Sequence, residues 1–335
     1  MAQRIILIHG RSTKPCKKDH AKLLERALLQ GLNRVDPEKA AKVANGTVPV
    51  DYVYYGDVNN SIMAQTSQKI RDELTATDPD AESSPNAPCL PSDGYAEAID
   101  DLKRFRTFNK RAYKTVIREN DSQTWLDNLA RLASTVSALA TATLLNEVVI
   151  KYATEDLAAY LMQRTIGSRI RERLHTPLKT ALINGDDVCL VAHSMGTMVS
   201  YDVLWKFSRM SEYKDVQMAQ NPVSLFLTLG APLGEAGVKA NLYDADERNH
   251  RDGTDKFPKD IIKSWHNIAA HDDFISHDPS LKDDFRPMLK FNYVDEIVDH
   301  RIYNCWAFRG EANPHKFYGY LANPKTAGLI ADWMD

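Results

Sequence analysis

A serine in the run Ala192-His193-Ser194-Met195-Gly196 joins the apolar stretch 188–191 to the helical pattern of 197–204. Strand, sharp turn and helix in that order hold a serine in a strained conformation. They lift its Oγ clear of the sheet and aim the next backbone N–H at a developing oxyanion. Strand and helix nearly touch at such a turn, so its flanks must be small, and Ala192 and Gly196 meet that need. Ser194 is the candidate nucleophile, and the chemistry it points to is acyl transfer.

A neutral hydroxyl is a weak nucleophile and needs a base within hydrogen-bond reach, itself oriented by a third group. On a strand–turn–helix serine the partners follow in the chain order acid, then histidine. Asp272 and Asp273 both come just after the apolar pattern of 262–270. Asp273 is favoured because it sits at the turn with an apolar residue two positions on to anchor the loop, with Asp272 and then Asp278 as alternatives. His315, on the irregular loop before the last helical segment, is the candidate base, whereas His300 reads as a strand histidine. His271 and His277, with the aspartates around them, match no standard metal-ligand spacing. Acyl transfer also needs a second N–H donor opposite the one after the serine. The loop 8–12 is placed to supply it, so Arg11 N–H and Met195 N–H are the expected oxyanion hole. Neither a metal nor an organic cofactor is required.

Elements that could hold these groups can be read from periodicity. The apolar run 5–8 ends in His9-Gly10 as a buried parallel strand ends in a turn, and a helix is expected over 17–35. Further strands are expected over 48–55, 188–191, 223–229, 262–269 and 296–308, with a closing helix from Pro324. A helix is expected over 62–74, and the proline-bearing stretch 78–91 reads as a loop outside sheet and helix interiors. Residues 94–182 show no strand signal and read as a helical insertion, or cap, between the core segments 1–93 and 183–335. Alternating β and α units with apolar strands imply an α/β fold: a mostly parallel sheet, helices on both faces, chemistry at the strands' carboxyl ends.

These residues together resemble the α/β-hydrolase superfamily, in particular lipase- and esterase-like serine hydrolases of bacteria with an Ala-His-Ser-Met-Gly elbow. The likeness covers about 5–57 and 188–333. It rests further on Tyr201-Asp202 before Val203-Leu204, on the segment Thr228 to Gly234, and on Trp265 and Asn267 ahead of the acid. It implies an α/β-hydrolase fold and catalytic roles for Ser194, Asp273 and His315. It carries no pattern for the insertion. The expected function is hydrolysis of a carboxylic ester through an acyl-enzyme. Thioesterase, amidase or phospholipase chemistry on the same residues, or a binding protein that keeps the fold, are the alternatives.

Composition bounds the partners. With 335 residues and 43% hydrophobic content the chain can bury a full core, and a formal net charge of −3 gives no global pull towards nucleic acid. Cys16, Cys89, Cys189 and Cys305 are widely spaced and suit a reducing compartment, and no signal-peptide pattern opens the chain, so a cytoplasmic location is expected. Residues 103–118 hold seven bases and no acid, with Leu102, Phe105, Phe108, Tyr113 and Val116 between them. A basic amphipathic helix there would be a cap helix with a solvated basic face, or would contact an anionic membrane or head group. The apolar positions of 132–150 would line an acyl pocket or pack the cap. Both features favour a hydrophobic or lipid-like ester. Lys14, Lys17 and Lys18 beside the oxyanion loop read as solvated, with binding of a carboxylate or phosphate on the substrate as the alternative.

Overall fold

The computed structural model describes residues 2–120, 155–243, 256–276 and 278–335. Six parallel strands form the central sheet: β1 (Gln3–Ile8), β2 (Val50–Val53), β5 (Asp187–His193), β6 (Val223–Leu229), β7 (Ile262–Ala270) and β8 (Glu296–Ile302). Their spatial order is β2-β1-β5-β6-β7-β8. Such strands have both faces covered, which is why β1, β5 and β6 read as nearly unbroken apolar runs. Alternate residues still divide between two cores. Ile6, Ile8, Leu190, Phe226 and Trp265 pack under the helices Arg164–Ile183 and Met195–Arg209. Ile5, Leu7, Val191, Leu227 and Ile268 pack under Lys17–Val35, Phe317–Leu321 and Pro324–Trp333.

The chain leaves β1 for β2 on one side and returns through β5 on the other. The order therefore reverses between β1 and β5, and the crevice beyond their carboxyl ends is where an open parallel sheet binds ligands. Ser194 ends β5 and the loop from His9 ends β1, so the candidate groups sit at that crevice.

Several expectations need correction. The stretch 78–91 is not all loop: β3 (Ala76–Asp78) and β4 (Ala87–Cys89) form a two-stranded antiparallel ribbon, whose free edges tolerate Pro88. The helix expected over 62–74 is two helices, Gly56–Thr66 and Gln68–Glu73, with the Ser67 side chain capping the second by accepting from Ile70 N–H. The final strand stops at Ile302, and β9 (Ala307–Phe308) and β10 (Glu311–Ala312) form a separate hairpin. Nor is 103–118 one helix. A short 3-10 turn, Leu102–Arg104, ends where Arg34 donates to the carbonyls of Leu102 and Phe105, both at 2.6 Å. Asn109 then caps a new helix, Lys110–Glu119, by accepting from Ala112 N–H at 3.0 Å. Lys103 and Arg104 pair with Asp100, Asp101 and Glu119. The basic face is thus Lys110, Arg111, Lys114 and Arg118.

Within 94–182, the helix Arg164–Ile183 buries Ile170, Leu174, Leu178 and Leu182 in the same core as β1 and β5. The expected apolar lining of 132–150 lies outside the described residues. Among the described residues no helix is long and apolar enough to cross a membrane.

Cys16 and Cys89 form a disulfide, and Cys189 and Cys305 are free and buried. Such bonds persist where conditions are oxidising, so the cysteines do not by themselves support the reducing compartment that their wide spacing suggests. The bridge closes a loop with a sequence separation of 73 and ties the start of the helix Lys17–Val35 to β4. Closing a loop of that length stabilises by about 2–4 kcal/mol. Melting with and without reductant checks this: the wild type should lose several degrees on reduction, and a Cys16→Ser/Cys89→Ser double variant should be lower throughout and insensitive to reductant.

Candidate active site

Strand β5 delivers Ser194 at φ 53 and ψ −126, outside the ordinary regions for a residue with a Cβ. The strain is held from both sides: Ser194 N–H donates to Leu229 O at 3.0 Å, and Thr197 N–H donates back to Ser194 O at 2.9 Å. The helix Met195–Arg209 begins at once and leans so close to β1 that a Cβ on Gly196 would lie 2.4 Å from the His9 carbonyl oxygen. That contact explains the small residue after the serine.

His315 lies across the crevice, on the loop between the β9–β10 hairpin and the helix Phe317–Leu321. Its Nδ1 donates to both carboxylate oxygens of Asp273 at 2.9 Å. A carboxylate can only accept, so Nδ1 carries the proton and Nε2 keeps its lone pair. Nε2 stands 2.8 Å from Ser194 Oγ, positioned to accept its proton. Serine, histidine and aspartate, separated by 121 and 42 residues, thus form one hydrogen-bonded chain. The structure brings together the three residues expected. It selects Asp273 over Asp272, whose φ of 61 marks the turn just before. Asp278 instead accepts from Ser280 N–H. His300 is in β8, hydrogen-bonded to His266, and the His271 ring stacks on Tyr303. His277 lies outside the described residues.

Two neighbours missed in the sequence hold this chain in place. The Tyr320 hydroxyl donates to Asp273 Oδ2 at 2.6 Å and accepts from Ala270 N–H at 2.8 Å. Ile275 N–H donates to Asp273 Oδ1 at 3.0 Å. Burial pushes the Asp273 carboxyl up, but His315, Tyr320 and Ile275 N–H outweigh it and hold the group below the usual carboxylate range. His193, next to Ser194, bonds through Nε2 to the His315 carbonyl at 2.7 Å and stacks on Phe317. Only its adjacency to Ser194 could have flagged it. Nothing in the spacing of Tyr320 could.

The loop after β1 reaches the serine: a Cβ on Gly10 would fall 2.5 Å from Ser194 Cβ. His9 is fully buried, and its Nε2 accepts from Tyr55 N–H at 3.1 Å, which puts its proton on Nδ1. Nδ1 donates to Gly10 O at 2.7 Å. The Gly10–Arg11 peptide is planar and trans, so fixing its oxygen on His9 turns Arg11 N–H the opposite way. Met195 is the first residue of its helix, where an N–H has no intrahelical acceptor. These are the two donors expected for an oxyanion.

The nearby lysines have other work. Lys17 pairs with Glu82 at 2.7 Å, and Lys14 Nζ binds carbonyls of its own loop. Among the described residues no cluster of three or more His, Cys, Asp or Glu is arranged to hold a metal ion.

Comparison of this chain with protein-family models, with curated proteins and with solved structures finds no match.

Two outcomes follow from this geometry. Tyr320→Phe leaves Ala270 N–H buried without its acceptor and removes a donor from Asp273, so it should cost about 1–3 kcal/mol in chemical unfolding and slow labelling of Ser194 by a fluorophosphonate. Unchanged stability and labelling would refute the role given to Tyr320. His9, His20 and His193 are all held well below the ordinary histidine value, by burial first. Their depressed folded-state values mean that stability is full above the unfolded value and is lost as pH falls below about 6.5. Melting temperature against pH should decline through that range, and a His193→Asn variant should show a shallower decline.

Proposed function

We propose that the chain is a serine hydrolase of the α/β-hydrolase fold that cleaves carboxylic esters through an acyl-enzyme. The observation that carries this reading is the hydrogen-bonded chain Ser194–His315–Asp273 on a strained strand-to-helix turn. A binding protein that merely kept the fold would have no use for a serine at φ 53 whose hydroxyl faces a correctly protonated imidazole.

On this reading the ester carbonyl sits over Ser194, its oxygen facing Arg11 N–H and Met195 N–H. His315 Nε2 takes the hydroxyl proton as Oγ bonds to the carbonyl carbon, and the negative oxygen of the tetrahedral intermediate is met by the two N–H donors. The intermediate collapses, the carbon–oxygen bond to the alcohol breaks, and His315 returns the proton to the leaving alkoxide. Water then enters, gives a proton to His315 and attacks the acyl carbon, and the acid leaves as Ser194 recovers its proton. Asp273 stays ionised and stabilises the imidazolium at each turn. Each oxyanion donor is worth roughly a hundredfold to a thousandfold in rate.

A hydrophobic or lipid-like ester is the favoured substrate class. Its support is the cationic face of Lys110, Arg111, Lys114 and Arg118 on one helix, suited to an anionic lipid surface. The same residues would open a thioester, an amide or a phospholipid, which a substrate panel separates. Fluorophosphonate labelling should mark the wild type at Ser194 and disappear in Ser194→Ala, and kcat on p-nitrophenyl esters should drop by about 10⁴-fold or more. A wild type that neither labels nor hydrolyses any ester of the chain-length series, or hydrolysis that survives Ser194→Ala, would overturn the proposal. Sedimentation with anionic vesicles should weaken as salt rises. Absence of binding would remove the lipid surface from the reading.

A further inference from the structure

Lys14 lies three residues beyond Arg11, on a loop whose carbonyls turn inward towards it. Its Nζ donates to the carbonyl oxygen of Ser12 at 2.9 Å and to that of Arg11, with that of Thr13 at 3.5 Å. Three partially negative oxygens converging on one point repel each other, and an ammonium with three donors cancels that repulsion. The main chain of Lys14 is itself anchored. Its N–H donates to Asn60 Oδ1 at 2.7 Å, and its carbonyl accepts from Asn60 Nδ2 and Leu90 N–H, both at 3.0 Å. Ser12 takes φ 71, a left-handed conformation that needs holding.

The peptide between Arg11 and Ser12 is gripped at both edges. Its carbonyl binds Lys14 Nζ, and its N–H donates to the buried carboxylate of Asp156 at 2.5 Å. The preceding peptide has its oxygen fixed on His9. Arg11 N–H lies in that preceding plane, and the gripped Arg11–Ser12 plane, joined to it at the Arg11 Cα, limits how far it can turn.

We propose that Lys14 is a positioning residue for the oxyanion donor: with Asp156 on the opposite edge, its ammonium locks the Arg11–Ser12 peptide and keeps Arg11 N–H turned towards Ser194. The proposal rests on the hydrolase reading above. It assigns Lys14 to the protein's own loop and not to an anionic substrate.

The lock depends on charge. The groups facing Lys14 are His9 at the end of β1, Arg11 on its own loop, His20 on Lys17–Val35, Asp156 on Glu155–Met162, His193 on β5 and Lys316 before Phe317–Leu321. The three histidines are neutral, held so by burial. Burial lowers Lys14 to about 7, with Lys316 and Arg11 adding to the effect and Asp156 opposing it. A neutral amine has two donors and a lone pair, and the lone pair would face a carbonyl. The rate should therefore fall as Lys14 loses its proton near pH 7.

The test compares wild type, Lys14→Met and Lys14→Arg on p-nitrophenyl butyrate from pH 6 to 9. Circular dichroism and melting report folding. Lys14→Met should lower kcat about tenfold to a hundredfold at pH 6.5, with KM within about twofold. Lys14→Arg, which keeps its charge, should recover at least half of the loss and abolish the fall near pH 7. A Lys14→Met enzyme within twofold of wild type in kcat, or Lys14→Arg as impaired as Lys14→Met, overturns the proposal. Should Lys14→Met not fold, the other two decide: a wild type without a fall near pH 7, or a fall that Lys14→Arg leaves in place, also overturns it. Failure of the hydrolase reading is distinct, because it shows in the wild type and in Ser194→Ala before Lys14 is altered, and it takes this role down with it.

Discussion

A carboxylate shut away from water keeps its charge only if donors replace the solvent it has lost. The Asp273 side chain has no exposed surface, and it accepts from an imidazole N–H, a phenol and a backbone N–H. Each donor comes from a different part of the chain: the loop at His315, the helix Phe317–Leu321 that carries Tyr320, and the turn after β7. Satisfying one buried anion therefore fixes where three segments meet. It also fixes the tautomer of His315, which leaves Nε2 free to face Ser194.

The sheet supplies the frame for that meeting. Because the strand order reverses between β1 and β5, the loops that leave these two strands diverge and open a crevice. Ser194 stands at one lip and the Gly10–Arg11 peptide at the other. Acid and base come from farther along the same carboxyl edge, after β7 and β8. Side chains set Ser194 against His315, while the Gly10–Arg11 and Arg11–Ser12 peptides opposite are gripped by His9, Asp156 and Lys14.

The segment after the first strand is stiffened out of proportion to its length. Within 9–16 a buried histidine, a lysine on three carbonyls, the Asn60 pair and the Cys16–Cys89 bridge act on consecutive residues. Loops are ordinarily the mobile part of such a fold. On the proposed hydrolase reading that rigidity has a use, since a donor already oriented needs no reorganisation when a charge forms. The basic helix Lys110–Glu119 is held by its apolar residues Ala112, Tyr113 and Val116, with Tyr113 against Tyr303.

The sequence by itself determined the parallel α/β plan, the turn at Ser194 and the identity of His315, because these follow from local rules. Buried parallel strands must be apolar, a sharp strand-to-helix turn needs small neighbours, and chain order places the acid before the base. The helix Lys17–Val35 was legible residue for residue for the same reason. Only the tertiary structure decided between Asp272 and Asp273, which differ by one position and so point in different directions from the same turn. It alone paired Cys16 with Cys89, found a ribbon where prolines suggested loop, and broke the basic stretch at Phe105 through hydrogen bonds from Arg34, 71 residues earlier in the chain. Tyr320 and His193 gain their partners from chain folding back on itself, and a hydrogen bond across space leaves no period or spacing in the sequence to reveal it.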